Sequence, residues 1–152
     1  MTDIFSFAST TPRLGLPNLF TAQAQKEFTV NEAFALIDSL LHAAVEGEAD
    51  APPSDPGEGE CWLVGIGPSG DWAGHSGRLA CRQSGNWLFA APIEGMTVYD
   101  RSTKQLVRFR DGWVRGASVA VPAGGEVIDV EARATLGELV ANLISLGILP
   151  AS

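Results

Sequence analysis

Between Cys61 and Arg115 the chain alternates six short β-prone runs with turn-forming clusters, and this alternation restricts the middle of the protein to small antiparallel hairpins. The runs are residues 61–66, 78–83, 87–90, 96–100, 105–110 and 113–115. Pro68-Ser69-Gly70, Ser84-Gly85-Asn86, Glu94-Gly95, Arg101-Ser102-Thr103 and Asp111-Gly112 separate them. Runs of three to six residues joined by short turns leave no room for helical crossovers, so consecutive strands pair as a meander or small sandwich. Arg101, Lys104, Arg108, Arg110 and Arg115 interleave with apolar residues here, as expected of the solvated face of such a sheet.

Helical patterns flank the strands. Thr29 and Glu32 have the spacing of a capping box, and Val30, Ala33, Ile37, Leu40 and Ala44 follow at steps of three and four. A helix over 29–46 is predicted, with Phe34, Leu41 and Val45 widening its apolar face. That width suits a helix lying across a sheet or one shared between subunits. The proline-rich stretch 47–57 then resets the chain to extended geometry. After the β domain at 58–120, the segment 121–152 holds a flexible joint and a second helix, N-capped by Asp129 and stopped by Gly147. In that helix Ala132, Leu136, Leu139, Leu143 and Leu146 recur at heptad spacing. So short a seam is marginal alone, so it packs on the sheet or joins copies of itself. The fold class is therefore α+β, with a C-terminal oligomerisation helix as one reading.

Residues 1–28 show no sustained period yet carry Phe5, Phe7, Leu14, Leu16, Leu19 and Phe20. Apolar side chains on an aperiodic arm need another surface for cover, which reads as an extended docking arm. Its first twelve residues lack the basic start of a secretory signal, and the chain holds no run of about 18 apolar residues, so no membrane insertion is expected. A net charge of −8 has the wrong sign for neutralising a phosphate backbone, so nucleic acid is not an expected partner.

Tests for chemistry return little. Gly65-Ile66-Gly67-Pro68-Ser69-Gly70 satisfies G-x-G-x-x-G in letters, but a proline and a glycine-dense loop follow where a dinucleotide site needs a helix start. His42 and His75 lack zinc-ligand spacing with any partner, and no G-x-S-x-G is present. Cys61 and Cys81, twenty residues apart, are expected as buried free thiols. No catalytic residue, cofactor or metal is assigned, and the chain is expected not to be an enzyme. Trp72, Trp87 and Trp113 each follow a polar turn. Rings so placed either cap a modest core or, with Asp71, Asn86 and Tyr99, form a platform for sugar.

The motifs Thr11-Pro12-Arg13-Leu14-Gly15-Leu16-Pro17 and Gln23-Ala24-Gln25-Lys26-Glu27-Phe28-Thr29-Val30-Asn31-Glu32-Ala33 resemble those of the uncharacterised domain of unknown function 2793. Pro56-Gly57-Glu58-Gly59-Glu60-Cys61-Trp62, Asp71-Trp72-Ala73-Gly74, Gly77-Arg78-Leu79-Ala80 and Asp111-Gly112-Trp113 extend the resemblance over about residues 10–115. It implies a component of tailed phages, prophages or gene transfer agents of alphaproteobacteria. The implied role is a structural virion protein without cofactor: a head or tail fibre, a spike, or its attachment base. Other capsid or tail proteins would be its partners, a homotrimer its form, and the virion, assembled in the bacterial cytoplasm, its location. The alternative is an adhesion module that binds capsule or cell-surface polysaccharide.

Overall fold

The structure is a computed structural model that describes residues 9–19, 26–120, 124 and 129–150. Its elements are α1 (Lys26–Leu40), β1 (Ala44–Val45), β2 (Glu48–Ala49), β3 (Cys61–Val64), β4 (Leu79–Gln83), β5 (Asn86–Ala90), β6 (Thr97–Asp100), β7 (Gln105–Phe109), β8 (Trp113–Arg115) and α2 (Val130–Ser145). The fold is α+β, and the chain divides into two compact units, Met1–Pro92 and Ile93–Ser152. The single β domain expected over 58–120 is thus split at Pro92.

In the first unit a sheet runs β2–β3–β4–β5. Its last three strands are antiparallel as expected, but β2 joins β3 in parallel, Glu48 opposite Leu63. The segment expected as linker therefore begins with a strand. Ser84 and Gly85 both take positive φ, of 50° and 75°, and close a two-residue hairpin between Gln83 and Asn86. That backbone twist suits adjoining strands, and the Glu58 carboxylate accepts from the Ser84 and Gly85 amides at 2.6 and 2.7 Å.

Alternation along the strands separates two faces. Cys61, Leu63, Leu79 and Cys81 point one way and are all buried. Trp62, Val64, Ala80 and Phe89 point the other, where Val64, Ala80 and Trp72 form a core against which Trp62, Trp87 and Phe89 pack. Trp72 comes from a single 3-10 turn, Gly70–Trp72, and is wholly buried. Its ring meets Trp87 edge-on at 5.1 Å and tilts against Trp62 at 6.4 Å. Trp72 is therefore core, and its reading as a ring that stacks on sugar is corrected.

Helix α1 starts at Lys26 and ends at Leu40, where 29–46 was expected. Thr29 lies inside the helix instead of capping it. Past the last turn His42 takes a left-handed φ of 54°, and the apolar residues read as a final helical turn, Ala44 and Val45, become β1. The stop comes from another segment: the Arg13 guanidinium donates to the carbonyls of Asp38, Ser39 and His42 at 3.0, 2.7 and 3.1 Å. A cation on the orphan carbonyls of a helix C-terminus is favourable both as a donor and against the helix dipole.

In the second unit β6, β7 and β8 form an antiparallel meander with Val98 and Val107 buried. Asp100 is buried at the β6–β7 turn, accepting from the Ser102 amide and hydroxyl at 2.9 and 2.7 Å and from the Thr103 amide at 3.2 Å. Arg115 pairs with its other oxygen at 2.9 Å. Burial alone would raise this carboxyl, but the Ser102, Arg115 and Thr103 contacts outweigh it and hold the group below the ordinary carboxylate value of 3.8. A depressed acid stabilises the fold fully above the unfolded value and loses that contribution as pH falls through the folded one. Unfolding titrations are therefore expected to show this loss only below pH 3.8. Asp100→Asn is expected to abolish that limb and to cost about 1–3 kcal/mol at neutral pH. Of the basic stripe, Arg101, Lys104, Arg108 and Arg110 are exposed, as expected of a solvated face.

Helix α2 begins where expected, the Asp129 side chain accepting from the Ala132 amide at 2.8 Å. It ends in a Schellman arrangement: Gly147, at φ 69°, donates to Ile144, and Ile148 donates to Leu143, both at 2.9 Å. The Gly147 carbonyl then accepts from the Leu106 amide of β7, and Leu149 is buried. Gly116 passes so close to this segment that a Cβ there would run into the Ile148 carbonyl.

Candidate functional site

Three surfaces carry the residues singled out by sequence. On the N-terminal segment, residues 9–19 do not extend freely but fold back onto α1. Thr11 donates its hydroxyl to Asp38 Oδ1 at 2.8 Å, the Leu14 amide donates to the same oxygen at 2.6 Å, and the Arg13 amide donates to Oδ2 at 3.0 Å. Asn31 binds both backbone groups of Leu19, accepting from its amide at 2.8 Å and donating to its carbonyl at 3.1 Å. Asp38 is 1% exposed, and its carboxylate oxygens are satisfied by hydrogen-bond donors from a segment more than twenty residues earlier. The expectation of a wholly extended arm is thereby corrected for these residues: the Thr-Pro-Arg-Leu motif is a hook that closes the first unit. Leu14 stays largely exposed on it, with Leu16 and Leu19 half-buried. Phe5, Phe7 and Phe20 lie outside the described residues.

The second surface is a groove beside the tryptophan core. Asp71, Arg82, Gly85, Asn86, Trp87 and Phe89 line a volume of about 360 Å³. Three residues expected in a glycan platform, Asp71, Asn86 and Trp87, are brought together there. Tyr99, on β6, and Trp113, on β8, belong to the other unit, and Trp113 meets Phe109 edge-on at 5.3 Å. Arg82 and Trp87 are paired across β4 and β5, and the guanidinium carbon lies 5.3 Å from the ring centroid. Trp87 is thus held between a cation and the Trp72 edge. Sequence reasoning missed Arg82, although a basic residue one strand across from a turn-borne tryptophan is a readable cation–π signal once the hairpin register is known. Asn86 and Trp87 also line a larger cleft, of about 530 Å³, beside Asn31, Glu32 and Phe28 of α1. Polar hydrogen-bonding groups and a ring at the junction of two open grooves suit a hydroxyl-rich, extended ligand.

The third surface is α2. None of its sixteen residues is buried. Leu136, Leu139 and Leu146 are 47, 53 and 65% exposed, Ala132 is exposed, and Leu143 is half-buried. Among the described residues four of the five seam positions are therefore exposed. Leu36, Ile37 and Leu40 of α1 form an apolar patch with Leu41, which follows the helix.

Groups suited to chemistry are dispersed. His75 stacks on Phe89 with centroids 3.6 Å apart, and its Nδ1 is buried. The glycine-rich loop 65–70 leads into the 3-10 turn, and the Asp50 carboxylate accepts from its Gly67 amide at 3.1 Å. A carboxylate seated on that loop repels a phosphate and leaves no helix N-terminus to hold one. Among the described residues no group of three His, Cys, Asp or Glu side chains is placed to hold a metal ion.

Residues 30–114 match the family described as protein of unknown function (DUF2793), which is more than half of the chain. No curated protein matches it.

Proposed function

Since the chain belongs to the DUF2793 family, we propose that it is a structural, non-catalytic subunit of a phage-like or gene-transfer-agent-like particle that self-associates through α2. The observation that carries this reading is the uncovered leucine seam. An isolated helix of about 12–15 residues is marginal in water, and tertiary or intersubunit packing supplies most helix stability. Among the described residues no α2 side chain is buried, and four of the five seam residues, Ala132, Leu136, Leu139 and Leu146, are exposed. A seam of a and d leucines that is wet in the single chain is completed by identical seams from other copies. A homotrimer, the usual form of fibres and spikes, is our choice on analogy. In a fibre, spike or attachment base the α2 helices of the copies would then form a central bundle. The apolar residues Phe5 and Phe7, ahead of the hook in sequence, would supply the contact to neighbouring capsid or tail proteins. Particles induced in the native host and banded on a density gradient are expected to carry the chain. Its absence from purified particles would contradict the reading.

The groove at Asp71, Arg82, Asn86 and Trp87 favours a second reading, contact with capsule or cell-surface polysaccharide. A glycan array probed with the purified chain is expected to return binding that falls about fivefold to thirtyfold on Trp87→Ala or Arg82→Ala, each ring or charged contact contributing about 1–2 kcal/mol. Circular dichroism of the variants checks that the fold survives. An array on which the native chain binds nothing would remove this reading.

A further inference from the structure

The two cysteines fall opposite one another in the β3–β4 ladder, Cys61 facing Cys81. Neighbouring hydrogen bonds fix what kind of pair this is. Val64 and Arg78 form a hydrogen-bonded pair, with the Val64 amide donating to Arg78 at 2.9 Å and the Gly77 amide returning to the Val64 carbonyl at 2.9 Å. At the other end the Arg82 amide donates to Glu60 at 2.7 Å. Counting in twos from either end leaves Cys61 and Cys81 as a non-hydrogen-bonded pair. Such pairs hold their Cα atoms about 4.5 Å apart with side chains on the same face. That spacing falls at the near edge of the window a disulfide spans, about 4.4–6.8 Å. Both residues are free thiols, each 1% exposed, on the sheet face where Ser39 of α1 lies beside them.

We propose that Cys61 and Cys81 are a two-electron redox site, which a small peroxide closes into a disulfide that staples β3 to β4. The Cys81 thiol donates toward the Cys61 sulfur and so lowers the Cys61 pKa, aided by the Arg13 charge. The same contact and burial push Cys81 up. Cys61 is therefore the sulfur that attacks. Its thiolate takes one peroxide oxygen as the O–O bond breaks, giving a sulfenic acid and hydroxide. The hydroxide takes the Cys81 proton and becomes water, and the Cys81 sulfur attacks Cys61 Sγ, expelling a second hydroxide that takes back the proton Cys61 gave up on ionising. In sum two thiols and one hydrogen peroxide become one disulfide and two waters. Burial of both sulfurs excludes bulky disulfide reagents, so the oxidant proposed is the smallest peroxide. The inference stands on the geometry of the first unit alone and is independent of the particle reading.

The test treats the full chain with hydrogen peroxide, quenches it, and measures intact mass and the thiols titratable in denaturant. The site predicts a loss of about 2 Da, titratable thiols falling from two to none, recovery with a phosphine reductant, and a peptide joining Cys61 to Cys81. Cys81→Ala is expected to block the cross-link and leave oxygen added at Cys61. Oxygen adducts without a cross-link in the native chain would overturn the proposal. So would two surviving thiols at an exposure that fully oxidises Met96, which serves as the internal gauge.

Discussion

Replacing Asp38 with alanine is expected to destabilise the first unit by about 3–5 kcal/mol, the cost of removing one side of a buried charged network. The side chain is 1% exposed and gathers the Thr11 hydroxyl and two backbone amides onto one carboxylate. Alanine leaves the buried Thr11 hydroxyl and the partly buried Arg13 and Leu14 amides without their acceptor, and each charge-assisted bond contributes about 1.5–3 kcal/mol. The loss does not stop at the carboxylate. Arg13 is positioned on the α1 carbonyls by the same hook, so its capping of Asp38, Ser39 and His42 weakens together with it. Asp38→Asn keeps a neutral acceptor and is expected to cost about half as much. Urea unfolding measures both, and limited trypsin digestion gives an independent reading: cleavage after Arg13 should be slow in the native chain and fast in Asp38→Ala. Equal cleavage rates would mean that the hook is not held by Asp38.

The second large effect concerns association. Leu136→Asp combined with Leu139→Asp places two carboxylates on the seam of α2, at positions 47 and 53% exposed in the single chain. Because these side chains bury little within their own subunit, the fold should survive. In an assembled bundle each buried leucine contributes about 1.5–3 kcal/mol, so losing two per chain weakens association by about two to four orders of magnitude. Sedimentation at micromolar concentration should show the variant as a single chain. Glu138→Gln, on the same helix but off the seam, should leave the assembly unchanged. If the double variant instead unfolds without an intermediate monomer, the seam is an intramolecular contact.

How far the sequence is legible depends on how local each cause is. Strands β3 to β8 are set by short apolar runs and by turn residues with fixed backbone needs, such as Ser84-Gly85, and their expected positions lie within two residues of the observed ones. Both ends of α2 follow from single residues, Asp129 and Gly147. Helix α1 is different, because its end is fixed by Arg13, a residue brought from another segment, while Ala44 and Val45 continue the helical period and so disguise the change to strand. Asp38 was invisible for the same reason: a lone acid on a helix gives no sign of the donors that fold back onto it. The parallel pairing of β2 and the division at Pro92 also arise from long-range packing with no local marker. Trp72 and Trp87 share a turn-then-tryptophan signature, yet one is core and the other lines a groove. Sequence spacing places Cys61 and Cys81 twenty residues apart, and only the strand register sets them face to face.

Self-association through α2 is the claim on which the rest of the functional account stands, and native mass spectrometry of the purified full chain tests it most directly. A species of three times the 16.0 kDa chain mass is the expected result. A lone 16.0 kDa species at micromolar concentration, with α2 still helical, would contradict it.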